Sequence, residues 1–207
     1  MKFSIWLESV TNRPIVFSDM DETLVHSFDI DWLHDSIDHK KFARDVVPDK
    51  NVKKIHAKKR DMYIFPRPGA EKFIENINKF ADLIILSHNT KEYCEAVIKT
   101  FGWSKYIQNC YSTGDLEPNS LYQKYNLGDK KWILIDNLDI HSVEVTSKLR
   151  ILGLGGTAKN PKDIVKNVVK NADSHFIDVV DWIPTVQKYD DYELPKVLQQ
   201  IKVKLKI

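Results

Sequence analysis

Short apolar runs recur along the chain, with amphipathic stretches between them. Ile15–Ser18, Leu83–Ser87 and Trp132–Asp136 read as strands, and Gln108–Ser112 and Arg150–Leu154 carry a weaker strand signal. Between Gly69 and Phe80, the residues Phe73, Ile74, Ile77 and Phe80 fall close to helical spacing after an Arg67-Pro68-Gly69 entry turn. Thr90–Phe101 puts Tyr93, Val97, Ile98 and Phe101 on one helical face, and Gly102 ends it. Two further helices are predicted over Asn160–Asn171, opened by Asn160-Pro161, and over Ser174–Gln187. Strands alternating with helices imply crossover units and a parallel sheet, hence an α/β fold.

One segment breaks this rhythm. From Phe28 to Arg60 the chain is polar, first with Asp29, Asp31, His34, Asp35, Asp38 and His39, then with Lys53, Lys54, Lys58, Lys59 and Arg60. Val52–Ala57 and Asp61–Phe65 have the form of a hairpin across Lys58-Lys59-Arg60. Residues 28–65 are therefore expected to form a small cap or flap inserted after the first strand of a single domain spanning 1–207. The irregular spacing of the acidic and histidine half favours a solvated face over a second metal site.

The first strand carries the most informative chemistry. Residues 16–27 read V-F-S-D-M-D-E-T-L-V-H-S, a buried apolar run ending in two carboxylates one residue apart, Asp19 and Asp21. In open α/β sheets ligands collect beyond the carboxyl ends of the strands. Two carboxylates about 4 Å apart repel by roughly 4 kcal/mol at an effective dielectric near 20, so a cation is required. Mg²⁺, with its preference for oxygen, fits. One carboxylate is then suited to nucleophilic attack and the other to proton transfer. The bland reading is an acidic turn capping a strand. Thr23 and Leu24 fit a loop that closes back toward the core.

D-M-D-E-T-L-V-H-S resembles the first motif of the haloacid dehalogenase (HAD) superfamily, and within it the branch containing the small phosphatases of the RNA polymerase II C-terminal domain. The resemblance recurs in order at Arg67-Pro68-Gly69, at Ser87 after its apolar strand, and at Asp136-Asn137, covering most of residues 14–185. It implies a Rossmann-like core with a parallel central sheet flanked by helices. By the same resemblance Asp19 is the nucleophile and Asp21 the general acid and base. Ser87, Lys124, Thr23 and Asn89 are assigned to the phosphate. Mg²⁺ is assigned to Asp19, the backbone carbonyl of Asp21, and Asn137, with Asp136 holding a bound water or orienting its neighbours. Asp139 is the alternative second acid or a helix cap. For the phosphate-neutralising lysine the candidates are Lys105, Lys124, Lys130 and Lys131, with Lys124 matching best. Asn89 either contacts substrate or caps the helix begun at Thr90. His88 lines the wall or serves as a cleft base, and Arg67 either reaches substrate or, more simply, pins the flap.

Composition narrows the partners. Hydrophobic content of 43%, charged content of 29% and a net charge of +2 are ordinary for a globular domain, so only local basic patches would attract a polyanion. Cys94 and Cys110 have no metal-like or disulfide-framework spacing and read as free thiols in a reducing cytoplasm. The start Met1–Glu8 is too short for a signal peptide, and no apolar run approaches a membrane span. The expected protein is a cytoplasmic (nuclear not excluded) Mg²⁺-dependent phosphomonoesterase with no membrane partner. Its substrate class is a phosphoprotein or another macromolecular phosphate. The alternatives are a nucleotide or nucleic-acid-end phosphatase, or a catalytically silent binding module such as the related subunit of the mitochondrial import machinery.

Overall fold

The computed structural model describes residues 13–29, 51–57, 59–155, 160–182 and 193–207. Its strands in chain order are β1 (Ile15–Ser18), β2 (Val25–Asp29), β3 (Lys53–Ala57), β4 (Arg60–Pro66), β5 (Asp82–Ser87), β6 (Ile107–Ser112), β7 (Trp132–Asp136) and β8 (Phe176–Asp178). The helices are α1 (Ala70–Asn78), α2 (Lys91–Thr100), α3 (Ser120–Tyr125), α4 (Val143–Ile151), α5 (Pro161–Ala172) and α6 (Glu193–Leu205). Among the described residues no helix is long and apolar enough to cross a membrane.

Five strands form one parallel sheet in the order β6-β5-β1-β7-β8. Its three central strands, β5, β1 and β7, are near-continuous apolar runs because both faces are covered. Val16, Leu83, Ile85, Ile133 and Ile135 point to the face packed by α1, α2 and α6. Ile15, Phe17, Ile84, Leu86, Trp132 and Leu134 point to the other, against residues of α3, α4 and α5. The chain leaves β1 toward β5 and β6 on one side and returns to β7 and β8 on the other. The switch point, where such sheets open a crevice, therefore lies at the carboxyl end of β1.

The second sheet is antiparallel, in the order β2-β4-β3. The hairpin of β3 and β4 falls where the alternation placed it, with Lys59 in a left-handed conformation at the turn (φ 63°). The sheet also recruits Val25–Asp29, so the insertion is anchored by the residues that immediately follow the carboxylate motif. Residues 30–50 and Lys58, which carry much of the charged segment, lie outside the described residues.

Two elements differ from the sequence reading. Arg150–Leu154 is not a strand: Arg150 and Ile151 end α4, and Leu152 is its C-cap before Gly153 at φ 97°. Its apolar residues continue the stripe of Val145 and Leu149 into the core. The helix expected over Ser174–Gln187 is replaced in its first part by β8, which pairs with Leu134–Asp136. A free edge beside β7 outcompeted the local helical pattern there. Residues 183–187 lie outside the described residues.

Candidate active site

Asp19 follows the last residue of β1, and Ser18 is in register with Ile85 of β5 and Ile135 of β7. The backbone N–H of Asp19 donates to the carbonyl of Ile135 at 2.9 Å, so its position is set by the sheet. The same registers place Ser87 at the end of β5 and Asp136 at the end of β7, flanking Asp19 on either side. All three are buried.

A residue outside the sequence-derived set completes this core. The Lys148 ammonium lies 2.6 Å from Asp19 Oδ1 and 2.6 Å from Asp136 Oδ2, and the side chain is only 1% exposed. Burial acts against its charge, yet the two carboxylates outweigh that and hold its proton affinity above the ordinary lysine value. The candidate cation Lys124 is exposed on α3, with its ammonium 5.0 Å from the Tyr111 ring centroid. Lys105 sits over Tyr106, and Lys131 donates to the carbonyl of Leu205. The lysine that the structure places beside Asp19 is therefore Lys148 and not Lys124, and the reason is packing. Val145, Lys148, Leu149 and Leu152 form one helical stripe, so α4 delivers a lysine to the core face where its neighbours deliver apolar side chains. That stripe, with its one charged member, was the available signal.

The electrostatics remain short of positive charge. Burial first, then the nearby Asp136 and Asp21 carboxylates, push the Asp19 carboxyl up to about 7 despite the opposing pull of Lys148. Asp178, at the end of β8, is also raised, by burial and then by Asp139, Asp136 and Asp181. A further cation beside these carboxylates would lower Asp19 back into the range where it is a ready nucleophile. Among the described residues no three His, Cys, Asp or Glu side chains converge as a metal cluster. The remaining donors at the β1–β7 crevice are hard oxygens: the Asp19 carboxylate, backbone carbonyls of its loop, and the amide oxygen of Asn137. That chemistry fits Mg²⁺, which is held by one or two carboxylates and keeps several waters.

Asn137 is held by two contacts. Its Oδ1 accepts from Thr23 Oγ1 at 3.1 Å, and its Nδ2 donates to Asp181 Oδ1 at 2.7 Å. Thr23 is thus placed behind Asn137. Asp181, beyond β8, was invisible to motif reasoning because it reaches the site only through the fold. Asp136 Oδ1 accepts from the Leu138 N–H at 3.0 Å. Asp139 turns its carboxylate to the His141 N–H, and the cap of α4 is Ser142 instead, accepting from Val145 N–H.

The loop between Asp19 and β2 is tightly pinned. Glu22 takes a left-handed conformation (φ 58°), which costs a residue with a Cβ about 1–2 kcal/mol. It is held there by several contacts. Its N–H donates to the Val25 carbonyl at 2.7 Å, its carbonyl accepts from Trp182 N–H at 3.1 Å, and its carboxylate contacts His26 Nδ1 at 2.5 Å. Arg67, 1% exposed, donates from one nitrogen to the carbonyls of Glu22 and Thr23, both at 3.3 Å. Its observed place is beneath the carboxylate loop. Gly69 follows at φ 80°, turning the chain into α1.

On the far side of Asp19, Asn89 N–H donates to Ser87 Oγ at 3.0 Å, and Asn89 Nδ2 donates to Asp21 Oδ2 at 2.7 Å. The cap of α2 is Thr90, which leaves the Asn89 side chain for the crevice. His88 is exposed at the crevice edge, 3.8 Å from Glu144, and partial desolvation together with Lys148 depresses its pKa. Cys94 is buried in the core, and burial pushes its thiol up to about 12.

A buried carboxylate at the switch point, a buried lysine ion-paired to it, a hydroxyl on the next strand and a second carboxylate on the connecting loop converge on one crevice. Residues 14–141 match the NLI interacting factor-like phosphatase family, and the chain belongs to that family. No curated protein matches the chain by sequence. Among solved structures it is similar to Fcp1, an essential RNA polymerase II CTD phosphatase, at 18% identity and a TM-score of 0.55, over 93% of this chain and 62% of that one. It is also similar to fission yeast Fcp1 bound to beryllium fluoride, at 16% identity and a TM-score of 0.52, over 94% of this chain and 51% of that one. The chain spans less than two thirds of the length of either, and at such identities the likeness is one of fold.

Proposed function

We propose that the protein is a Mg²⁺-dependent phosphomonoesterase that works through an aspartyl-phosphate on Asp19, with phosphoserine or phosphothreonine in a protein, or another macromolecular phosphate, as its substrate class. The observation that supports it most directly is the placement of Asp19 beyond the central strand, ion-paired at 2.6 Å to a buried Lys148. The family match supports the phosphatase reading. The two Fcp1 neighbours, described as RNA polymerase II CTD phosphatases, point toward a phosphoprotein.

In the first step an Asp19 oxygen attacks phosphorus. A bond from Asp19 to phosphorus forms, the bond to the leaving oxygen breaks, and Asp21 supplies that oxygen's proton. In the second step water attacks the aspartyl-phosphate, Asp21 takes its proton, and inorganic phosphate leaves. Lys148 fixes Asp19 Oδ1 and so selects which oxygen faces substrate. Ser87 Oγ accepts from the Asn89 N–H, and its hydroxyl hydrogen would turn to a phosphoryl oxygen when substrate binds. Asp19, Asn137 and the loop carbonyls would hold Mg²⁺, which when bound offsets the charge of nucleophile and phosphate. Phosphate monoesters are among the slowest substrates to hydrolyse unaided, so aligned charge has to supply most of the acceleration.

The test is turnover by chelator-treated protein, with and without added Mg²⁺, across phosphopeptides, nucleotides and end-phosphorylated oligonucleotides. Mg²⁺-dependent release of phosphate from phosphopeptides is the expected result. Release from nucleotides or oligonucleotides alone would move the substrate class, and no release from any of them would leave a binding module.

A further inference from the structure

Asp21 is held by side chains from three separate parts of the fold. Tyr93 OH, from the first turn of α2, donates to Asp21 Oδ1 at 2.5 Å. Ser27 Oγ, from strand β2 of the inserted sheet, donates to the same oxygen at 3.2 Å. Asn89 Nδ2, from the loop after β5, donates to Oδ2 at 2.7 Å. Tyr93 is fully buried, and its hydroxyl adjoins that of Ser27. Burial and the Asp21 charge hold its phenol well above the ordinary tyrosine value, so it keeps its proton and remains a donor.

A carboxylate has about four acceptor sites, two on each oxygen. Both on Oδ1 are taken, by Tyr93 and Ser27, and one on Oδ2 is taken by Asn89. Among the described residues, the remaining site is on Oδ2. We propose that Tyr93 is a positioning residue that, with Ser27 and Asn89, locks the Asp21 carboxylate so that Oδ2 alone exchanges the proton with the leaving oxygen and the attacking water. Tyr93 touches neither substrate nor the reacting atoms in this role. It acts by removing the rotational freedom of Asp21, and because Ser27 belongs to β2, seating of the inserted sheet enters the same lock. The inference rests on the phosphatase reading above and assigns that reading's proton-transfer group a fixed orientation.

Leaving-group dependence provides the test. A good aryl leaving group departs without a proton, whereas an alkyl one, such as a phosphoserine peptide, needs it from Asp21. The quantity to compare is kcat/KM, which reports the step that forms the phosphoenzyme for both substrates. Tyr93→Phe keeps the ring and removes the donor. It should lower kcat/KM for the phosphoserine peptide by about tenfold or more while changing that for an aryl phosphate by less than about twofold, because misalignment affects only the step that needs the acid. In an Asp21→Asn background the same substitution should add less than about twofold on the peptide, since coupled residues are non-additive. Equal losses on both substrates, or independent effects in the double variant, would overturn the proposal. Should Tyr93→Phe fail to fold, Ser27→Ala removes the other donor to Oδ1, and an unchanged ratio of the two substrates in that variant would overturn it equally. A wild-type protein inactive on both substrates would instead refute the phosphatase reading. An active wild type with an unaltered ratio in the variants refutes only the role of Tyr93.

Discussion

The ammonium of Lys148 and the carboxylate of Asp19 lie 2.6 Å apart, although 129 residues separate them in the chain. Lys148 also meets Asp136 at the same distance, so one buried cation is shared between the end of the central strand and the end of its neighbour. Packing of α4 against the sheet thus sets the surroundings of Asp19.

Removal of that cation should therefore be costly. Lys148→Met leaves two buried carboxylates without their partner, a change that typically destabilises by about 3–5 kcal/mol. The loss should be larger at pH 8 than at pH 5, because Asp19, pushed up to about 7, is already protonated at the lower pH. Lys124→Ala, at an exposed position, should change stability by less than about 1 kcal/mol and leave phosphatase activity near wild type. Thermal melts at the two pH values and one activity assay check both. A severe loss of activity in Lys124→Ala with Lys148→Met unaffected would restore the sequence-derived assignment.

Asp19→Asn should lower phosphatase activity by at least about three orders of magnitude, as expected for loss of a covalent nucleophile. Its effect on stability has a definite sign. The folded Asp19 carboxyl, at about 7 against 3.8 for an unperturbed aspartate, binds its proton more tightly than the unfolded one, so wild type loses stability as pH rises between those values. The asparagine variant lacks that loss. The difference in Tm, variant minus wild type, measured in chelator, should become more positive from pH 5 to pH 8. A flat difference would mean that burial does not penalise the Asp19 charge.

Asp21→Asn should separate the two half-reactions. Phosphoenzyme formation from an aryl phosphate should persist, while its hydrolysis slows for want of a base, so a burst of leaving group should precede a slow steady state. A single slow phase with no burst would place Asp21 outside the second step.

Metal binding can be read without turnover. Mg²⁺ that binds the folded protein alone raises Tm with concentration. Asn137→Ala should weaken that rise, and Thr23→Val, which removes the hydroxyl behind Asn137, should weaken it less. An identical Mg²⁺ response in Asn137→Ala and wild type would remove Asn137 from the ligand set.

Much of the fold was legible because it rests on local pattern. The apolar runs at Ile15–Ser18 and Trp132–Asp136 needed only their own residues to be read as strands, and the entry turn at Gly69 declared the start of α1. The positions of Asp19, Asp21, Ser87, Asp136 and Asn137 followed, because strand ends in a parallel sheet converge on one edge. What the sequence by itself could not determine were contacts between distant segments. Lys148 meets Asp19 only because α4 turns its stripe to the sheet. Asp181 reaches Asn137, and Trp182 the carboxylate loop, only because β8 pairs with β7, and that pairing overrode a helical pattern. The clamp on Asp21 joins Ser27, Asn89 and Tyr93 from a cap strand, a loop and a core helix. Period and turn chemistry act over a few residues and are written in the chain. Which charge is buried beside which depends on how helices pack across the sheet, and only the tertiary structure decided it.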